Sequence, residues 1–355
     1  MKYLLSAFAL TATCAWGQTP ISRYEPGLTA EGAVYYLPMT QLRVAVLVEK
    51  TSYTPGDLCD YAQKYMKLDK VSPRPYTAYR AVSMNLWAEG VADTSKCYSV
   101  RYNGKGAASN LSLSDDGVLQ AVNAQPLPVR EHPAFVAAPR KKIANPRTFL
   151  SQEIIESGSK AKMAELVAQE IYAIRDSRSQ LTRGEADFMP KDGEQLRIML
   201  ERLQEQEEAL LSMFAGVTER DTVEHVFTYC PKRGVEKEVL FRLSSHLGLV
   251  DKDDLSGKPY YIKIEDFHHV PEPVVDPKAK KKPVLDGIFV NVPGKVKASL
   301  LKDTQVMGSL EFSAGQYGHA ELLSGDLFNK KFTTHLILNP ITGAIHKLDA
   351  EQPQK

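Results

Sequence analysis

Leu42-Arg43-Val44-Ala45-Val46-Leu47-Val48-Glu49 is the stretch that decides the fold. Leu42, Val44, Val46 and Val48 take every second position, and side chains along a strand point alternately to opposite faces. The octet therefore predicts a strand with one face in a core. Pro55-Gly56 turns the chain beyond it. From Asp57 the spacing changes: Leu58, Tyr61, Ala62 and Tyr65 share a helical stripe, with Asp57 suited to the N-cap. A short amphipathic helix packed on a sheet is the expectation.

Further along, Val82, Met84, Leu86 and Ala88 alternate, and so do Tyr98, Val100 and Tyr102. Both runs predict strands. Leu111–Leu113 and Val118–Val122 flank Ser114-Asp115-Asp116-Gly117, where glycine supplies the positive φ of a tight hairpin. Residues 18–123 thus read as an N-terminal β-rich module with one short helix. Residues 124–150 read as a linker, because Pro126, Pro128, Pro133, Pro139 and Pro146 remove too many backbone donors for regular structure.

The middle of the chain changes period. Met163, Leu166, Val167, Ile171 and Ile174 recur at helical spacing. After a break at Gly184 to Pro190, Leu196, Met199, Leu200, Leu203, Leu210 and Phe214 do the same. Asp192 with Gln195 resembles a capping box. Residues 151–216 are therefore expected to form a helical hairpin, with Glu201, Arg202, Glu205, Glu207 and Glu208 on a solvated face.

The alternation returns in Val223, His225, Phe227 and Tyr229, in Val239, Phe241 and Leu243, and in Tyr260 to Ile264, so residues 217–265 read as β strands. A Pro/Lys-rich spacer, 266–286, holds Lys278, Lys280, Lys281 and Lys282 among prolines and reads as a solvated loop. Residues 287–355 read as a C-terminal β module, sandwich-like, with apolar runs at Ile288–Val292, Val296–Leu300 and Leu336–Leu338. The fold class expected is α+β, with antiparallel β modules at both ends and a central long helical hairpin. No convincing internal repeat is visible, although two proline-punctuated β modules flank the helices.

At the amino end, Lys2 precedes an apolar run from Tyr3 to Ala12, and Ala15-Trp16-Gly17 sets small residues where a signal peptidase requires them. Residues 1–17 are read as a signal peptide, with Gln18 as the new terminus. Thr11-Ala12-Thr13 before Cys14 makes a poor lipobox, so a lipid anchor at Cys14 is disfavoured. No later run is long and apolar enough to be a transmembrane helix, so the mature chain is expected to have no transmembrane span. With 44 basic against 43 acidic residues, the net charge of +1 supplies no field to recruit nucleic acid or an anionic membrane. Cleavage leaves Cys59, Cys97 and Cys230, an odd number. A Cys59–Cys97 bridge and three separate thiols both remain open.

Signatures of familiar chemistry are absent from the sequence. Gly104-Lys105-Gly106 lacks the lysine and hydroxyl residue of a phosphate loop. There is no Gly-x-Ser-x-Gly, His-Glu-x-x-His or Cys-x-x-Cys. Asp251, Asp253 and Asp254 open like a calcium loop, but Leu255 and Ser256 stand where a ligand and the turn glycine belong, which leaves a polar turn. His268-His269 is the sole histidine pair, and neighbours on a strand face opposite ways. His225 and His246 have no ligand spacing. Asn110-Leu111-Ser112 fits a glycosylation triplet, a weak signal alone. Asn339-Pro340-Ile341-Thr342-Gly343 reads as a hairpin turn. No catalytic, cofactor or metal residue is assigned.

Several stretches carry a resemblance: Leu37-Pro38 leading into Leu42–Lys50, Tyr53-Thr54-Pro55-Gly56 with Tyr61–Tyr65, Lys162–Leu166, Ile171–Arg178, Asp192-Gly193-Glu194, Gln206–Leu210, Gln316-Tyr317-Gly318 and Asn339–Gly343. Over nearly the whole mature chain the sequence resembles an uncharacterised domain-of-unknown-function family of exported proteins from Bacteroides and related bacteria. The resemblance implies a periplasmic or outer-surface location and brings no activity, so no catalytic residue is carried over. The expectation is an exported envelope protein acting as a non-enzymatic binding or structural module, with an envelope protein or glycan as partner. The alternative is an exported hydrolase acting on glycan or peptide. A cleft with converging carboxylates or histidines of perturbed pKa would favour that alternative.

Overall fold

The computed structural model describes residues 21–24, 32–100, 110–129, 131–139, 142–190, 192–233, 235–270, 287–328 and 333–351. The signal segment, Cys14, Tyr102, Gly104–Gly106 and the lysines of the spacer lie outside the described residues. In chain order the strands are β1 (Ile21–Arg23), β2 (Ala33–Thr54), β3 (Tyr76–Val100), β4 (Leu111–Leu113), β5 (Leu119–Val122), β6 (Val217–Tyr229) and β7 (Lys237–Ser244). They continue as β8 (Gly248–Val250), β9 (Lys258–Asp266), β10 (Gly287–Lys302), β11 (Gln305–Ser324), β12 (Thr333–Leu338) and β13 (Ile345–Glu351). The helices are α1 (Ala62–Met66), α2 (Gln152–Ile155), α3 (Lys160–Arg183) and α4 (Gly193–Ala215). The chain is an α+β protein dominated by antiparallel sheet.

Three sheets form, ordered β1-β3-β2-β6, β11-β10-β9-β7-β8 and β13-β12-β5-β4. The octet that opened the sequence reading sits inside β2, and Leu42, Val44 and Val46 are fully buried against Phe241, Tyr260, Ile262, Val296 and Leu300 of the second sheet. Each such side chain contributes about 1.5–3 kcal/mol by leaving water. The strands of these two sheets cross steeply. Tyr79 of β3 donates its N–H to Ser245 O at 2.8 Å, beside β8, whereas Met84 and Leu86 lie against Gly308 of β11. Because β8 and β11 are opposite edges of the second sheet, β3 traverses that sheet in roughly 23 Å of its own length, close to the roughly 19 Å width of five strands.

The two runs expected in β3 are one strand of 25 residues. A register shift opposite Leu47/Val48 makes Val82 the extra residue, so it leaves the core face and is 43% exposed, against the alternation expected of it. β10 likewise joins two expected runs across Pro293, with its shift between Val292 and Gly294. β2 has the same device at Tyr36/Pro38. In both hairpins, then, a proline that cannot donate to the ladder sits at a bulge.

The third sheet ties these bulges together. Its two hairpins turn at Gly117 and Gly343, both left-handed, with φ 76° and 72°. Gly117 O accepts from Tyr36 N at 2.9 Å, and Gly343 O accepts from Asn291 N at 3.0 Å. The hairpin turn read at Asn339–Gly343 is present: Asn339 Oδ1 accepts from Ile341 N and Thr342 N at 2.9 and 3.2 Å.

The helices depart from expectation in three respects. α1 packs against α3 and α4 through Leu58, Ala62 and Met66 rather than on a sheet, and Asp57 caps nothing there: Leu58 and Tyr61 occupy the cap positions without a side-chain bond. α3 and α4 are long and in contact, but α4 buries only Leu210, Met213, Phe214 and their neighbours, while Met199 is 42% exposed. Finally, Glu207 is not on a solvated face. It is buried between Arg175 and Arg178, at 2.6 and 2.7 Å, and joins the helices. Asp192 does cap α4, accepting from Glu194 N.

Candidate binding cleft

Asn291 stands two residues before Pro293, in a strand whose neighbouring residues are apolar, and is 2% exposed. Burying an amide costs free energy unless its donors and acceptor are all used. Here they are. Nδ2 donates to Pro38 O at 2.8 Å and Thr342 O at 2.9 Å, and Oδ1 accepts from Lys96 Nζ at 3.1 Å. Lys96 also donates to Gly315 O at 3.2 Å. Burial pulls the lysine below its usual value, and the nearby Arg233 charge adds to this, while Asp93 opposes it.

Thr40, fully buried, completes the network. Its N–H donates to Gln316 Oε1 at 2.9 Å, its carbonyl accepts from Gln316 Nε2 at 2.7 Å, and its hydroxyl donates to Ile341 O at 3.2 Å. Pro38, Gln316 and Thr342 thus meet although far apart in sequence. They belong to three of the stretches that carry the family resemblance.

Beside this network opens a cleft of about 550 Å³, lined by the polar Arg233, Glu236, Lys263, Glu265, Asp266, His268 and Tyr317 and by the aliphatic Val235, Ile264 and Val270. β9 supplies Lys263 to Asp266, β11 supplies Tyr317, and the chain after β6 supplies Arg233. Several of its polar groups are already engaged. Arg233 donates to Gly318 O at 3.0 Å, Tyr317 Oη donates to Lys232 O at 2.9 Å, Lys263 pairs with Glu265 at 2.6 Å, and His268 lies 3.3 Å from Asp266. Burial pushes the Tyr317 phenol up to about 12, so it remains a donor throughout the physiological range. Lys263 holds the Glu265 carboxyl below its usual value.

Among the described residues the same direction holds for the other displaced carboxyls. Glu49 is lowered by Arg80, Glu194 by Arg197 and Asp254 by the Ser256 N–H. Burial alone would raise Glu89, but hydrogen bonds from Arg43 and Trp87 outweigh it. A general acid near neutral pH requires the opposite shift.

The histidine pair does not converge. His268 takes a left-handed backbone, φ 47°, and faces Asp266, whereas His269 Nδ1 accepts from Lys295 N at 3.2 Å. Among the described residues no three His, Cys, Asp or Glu side chains could together hold a metal ion. The Asp251–Asp254 segment is a polar turn in which Asp254 accepts from Ser256 N at 2.8 Å. Cys59, Cys97 and Cys230 are free thiols, so the Cys59–Cys97 bridge is not formed. No helix is long and apolar enough to cross a membrane among the described residues.

Sequence reasoning missed Lys96, Asn291, Thr40 and Arg233. One signal was available: Asn291 is a lone amide between Val290 and Val292 in an apolar run. A family model described as a domain of unknown function, DUF4831, matches residues 31–346. No curated protein and no solved structure matches the chain.

Proposed function

The chain belongs to the DUF4831 family, a domain of unknown function, and we propose that it is an exported cell-envelope protein that works by binding a partner at the cleft beside Tyr317. The observation that carries this reading is the cleft's electrostatics. Arg233, Lys263, Glu265, Asp266, His268 and Tyr317 present both charges and fixed donors on a rigid double sheet, with internal partners already in place. Such a surface recognises a polar, hydrogen-bonding partner, an envelope protein or glycan, through complementarity. Hydrolysis of glycan or peptide is the weaker reading, because Glu265 in the cleft is lowered by Lys263, opposite to the shift a general acid requires.

Two measurements test the proposal. Mass spectrometry of the protein recovered from cells should give Gln18 as the amino terminus, whereas an intact Met1 or an acylated Cys14 would contradict export by this route. Crosslinking in envelope fractions should recover a defined partner with the wild type and lose it when Lys263→Ala and His268→Ala are combined. Recovery of the protein alone, or turnover of envelope glycan or peptide by the purified chain, would overturn the binding role.

A further inference from the structure

β6 is the outer strand of the first sheet, and among the described residues no strand pairs with its free edge. Its ladder with β2 runs from Leu42–Tyr229 to Thr54–Val217 without a bulge. A long, regular edge offers a row of unused backbone donors and acceptors, which proteins ordinarily shorten, bend or cover. Here Val223 and Val226 are each 47% exposed. The register fixes the faces: Val223, His225 and Phe227 lie with Val48, Val46 and Val44 toward the second sheet. Thr218, Arg220, Thr222, Glu224 and Val226 therefore share the outer face.

We propose that β6 is a self-association edge: a second copy of this chain pairs with it antiparallel about a twofold axis through Thr222, joining the two four-stranded sheets into one. Charge selects both the occupant and the register. Outward-pointing backbone groups alternate along a strand, so the axis passes through a residue and not between two. With Thr222 on the axis, Arg220 stands opposite Glu224, Glu219 opposite His225, Asp221 opposite Val223 and Thr218 opposite Val226, each contact occurring twice by symmetry. Opposite charges in directly facing positions stabilise a ladder, and like charges oppose it.

Neighbouring registers lose this complementarity. An axis at Asp221 or Glu224 sets that acid against its own copy. An axis at Arg220 does the same to the guanidinium and sets Glu219 against Asp221. An axis at Val223 keeps an acid, Asp221, opposite His225 but leaves Arg220 opposite Val226 and Glu224 opposite Thr222, so the guanidinium–carboxylate pair is lost. The charges that would guard the edge against other strands thus match their own twofold image. The inference is independent of the cleft, whose residues lie beyond the end of β6 or on other strands.

Sedimentation velocity on the mature chain at tens of micromolar tests it. The wild type should show the mass of two chains. Arg220→Glu and Glu224→Arg should each weaken self-association by roughly tenfold or more. The double variant R220E/E224R should recover it, and so should an equimolar mixture of the two single variants, because each supplies the charge the other lacks. Recovery in the mixture also shows that neither variant is misfolded. A wild type that stays a single chain, self-association indifferent to these substitutions, or loss without recovery in the double variant and the mixture would each overturn the proposal.

Discussion

The two long hairpins, β2/β3 and β10/β11, use one device to different depth. Each begins at a glycine, Gly32 or Gly287, and reaches a proline, Pro38 or Pro293, where the ladder slips. Two residues before the proline, Tyr36 and Asn291 each donate an N–H to a left-handed turn glycine of the third sheet. The side chains then diverge. The Tyr36 ring rests against Gly117, and its phenol is raised by a hydrogen bond with Cys97. Asn291 instead spends its whole amide on Pro38, Thr342 and Lys96. The side chain at the first bulge packs on one turn glycine, whereas the side chain at the second is the polar joint that ties both hairpins together, reaching Pro38 of the first bulge itself.

The largest expected effect comes from breaking the joint. Asn291→Ala removes the donor from two buried carbonyls and one of the two acceptors of the Lys96 ammonium, and should lower the unfolding free energy by about 3–5 kcal/mol in urea denaturation. Next are the turn glycines. A Cβ on Gly343 would meet Pro38 Cδ at 2.7 Å and Asn291 Nδ2 at 3.0 Å, whereas one on Gly117 meets only the Tyr36 ring, at 3.2 Å. Gly343→Ala should therefore cost about 2–3 kcal/mol and Gly117→Ala about 1–2, from the same measurement. Equal costs would erase the asymmetry between the hairpins.

A pH series sharpens it. Lys96 has a folded value below 10.5 because of burial. Between that lowered value and the unfolded one, the unfolded chain binds more protons, so stability rises with pH across this alkaline window. The stability of the wild type relative to Lys96→Met should grow with pH there, and a flat difference would show that Lys96 is not confined by the joint. The smallest effect is expected from Tyr36→Phe, which keeps the ring on Gly117 and should leave the urea midpoint within error of the wild type.

Much of the framework was legible because alternation reports a one-sided core. Leu42–Val48, Phe241–Leu243 and Tyr260–Ile264 all face it. What escaped has physical causes. Pro293 interrupts β10, so one strand read as two. β11 carries Gly308, Ser309, Ser313, Gly315 and Gly318, too few apolar residues for a visible period. Val82 and Glu207 were misjudged because a bulge and an interhelical ion pair are set by partners elsewhere in the chain. The polar network escaped for the same reason: Lys96 and Asn291 are 195 residues apart, and Asn291 and Pro38 are 253 apart. Locally, Lys96 is one more lysine. Only the resemblance stretches at Pro38, Gln316 and Asn339–Gly343 marked the place, without saying why.

The direct test of the joint is native-state hydrogen exchange at the Tyr36 and Asn291 amides, compared between wild type and Asn291→Ala. In the wild type both should exchange only through global unfolding, since each is held by a carbonyl of the third sheet. In the variant, the position-291 amide and the Asn339–Gly343 turn should open locally, while Tyr36 still follows global stability. Fast exchange at either amide in the wild type, or equal protection of both in the variant, would contradict the account.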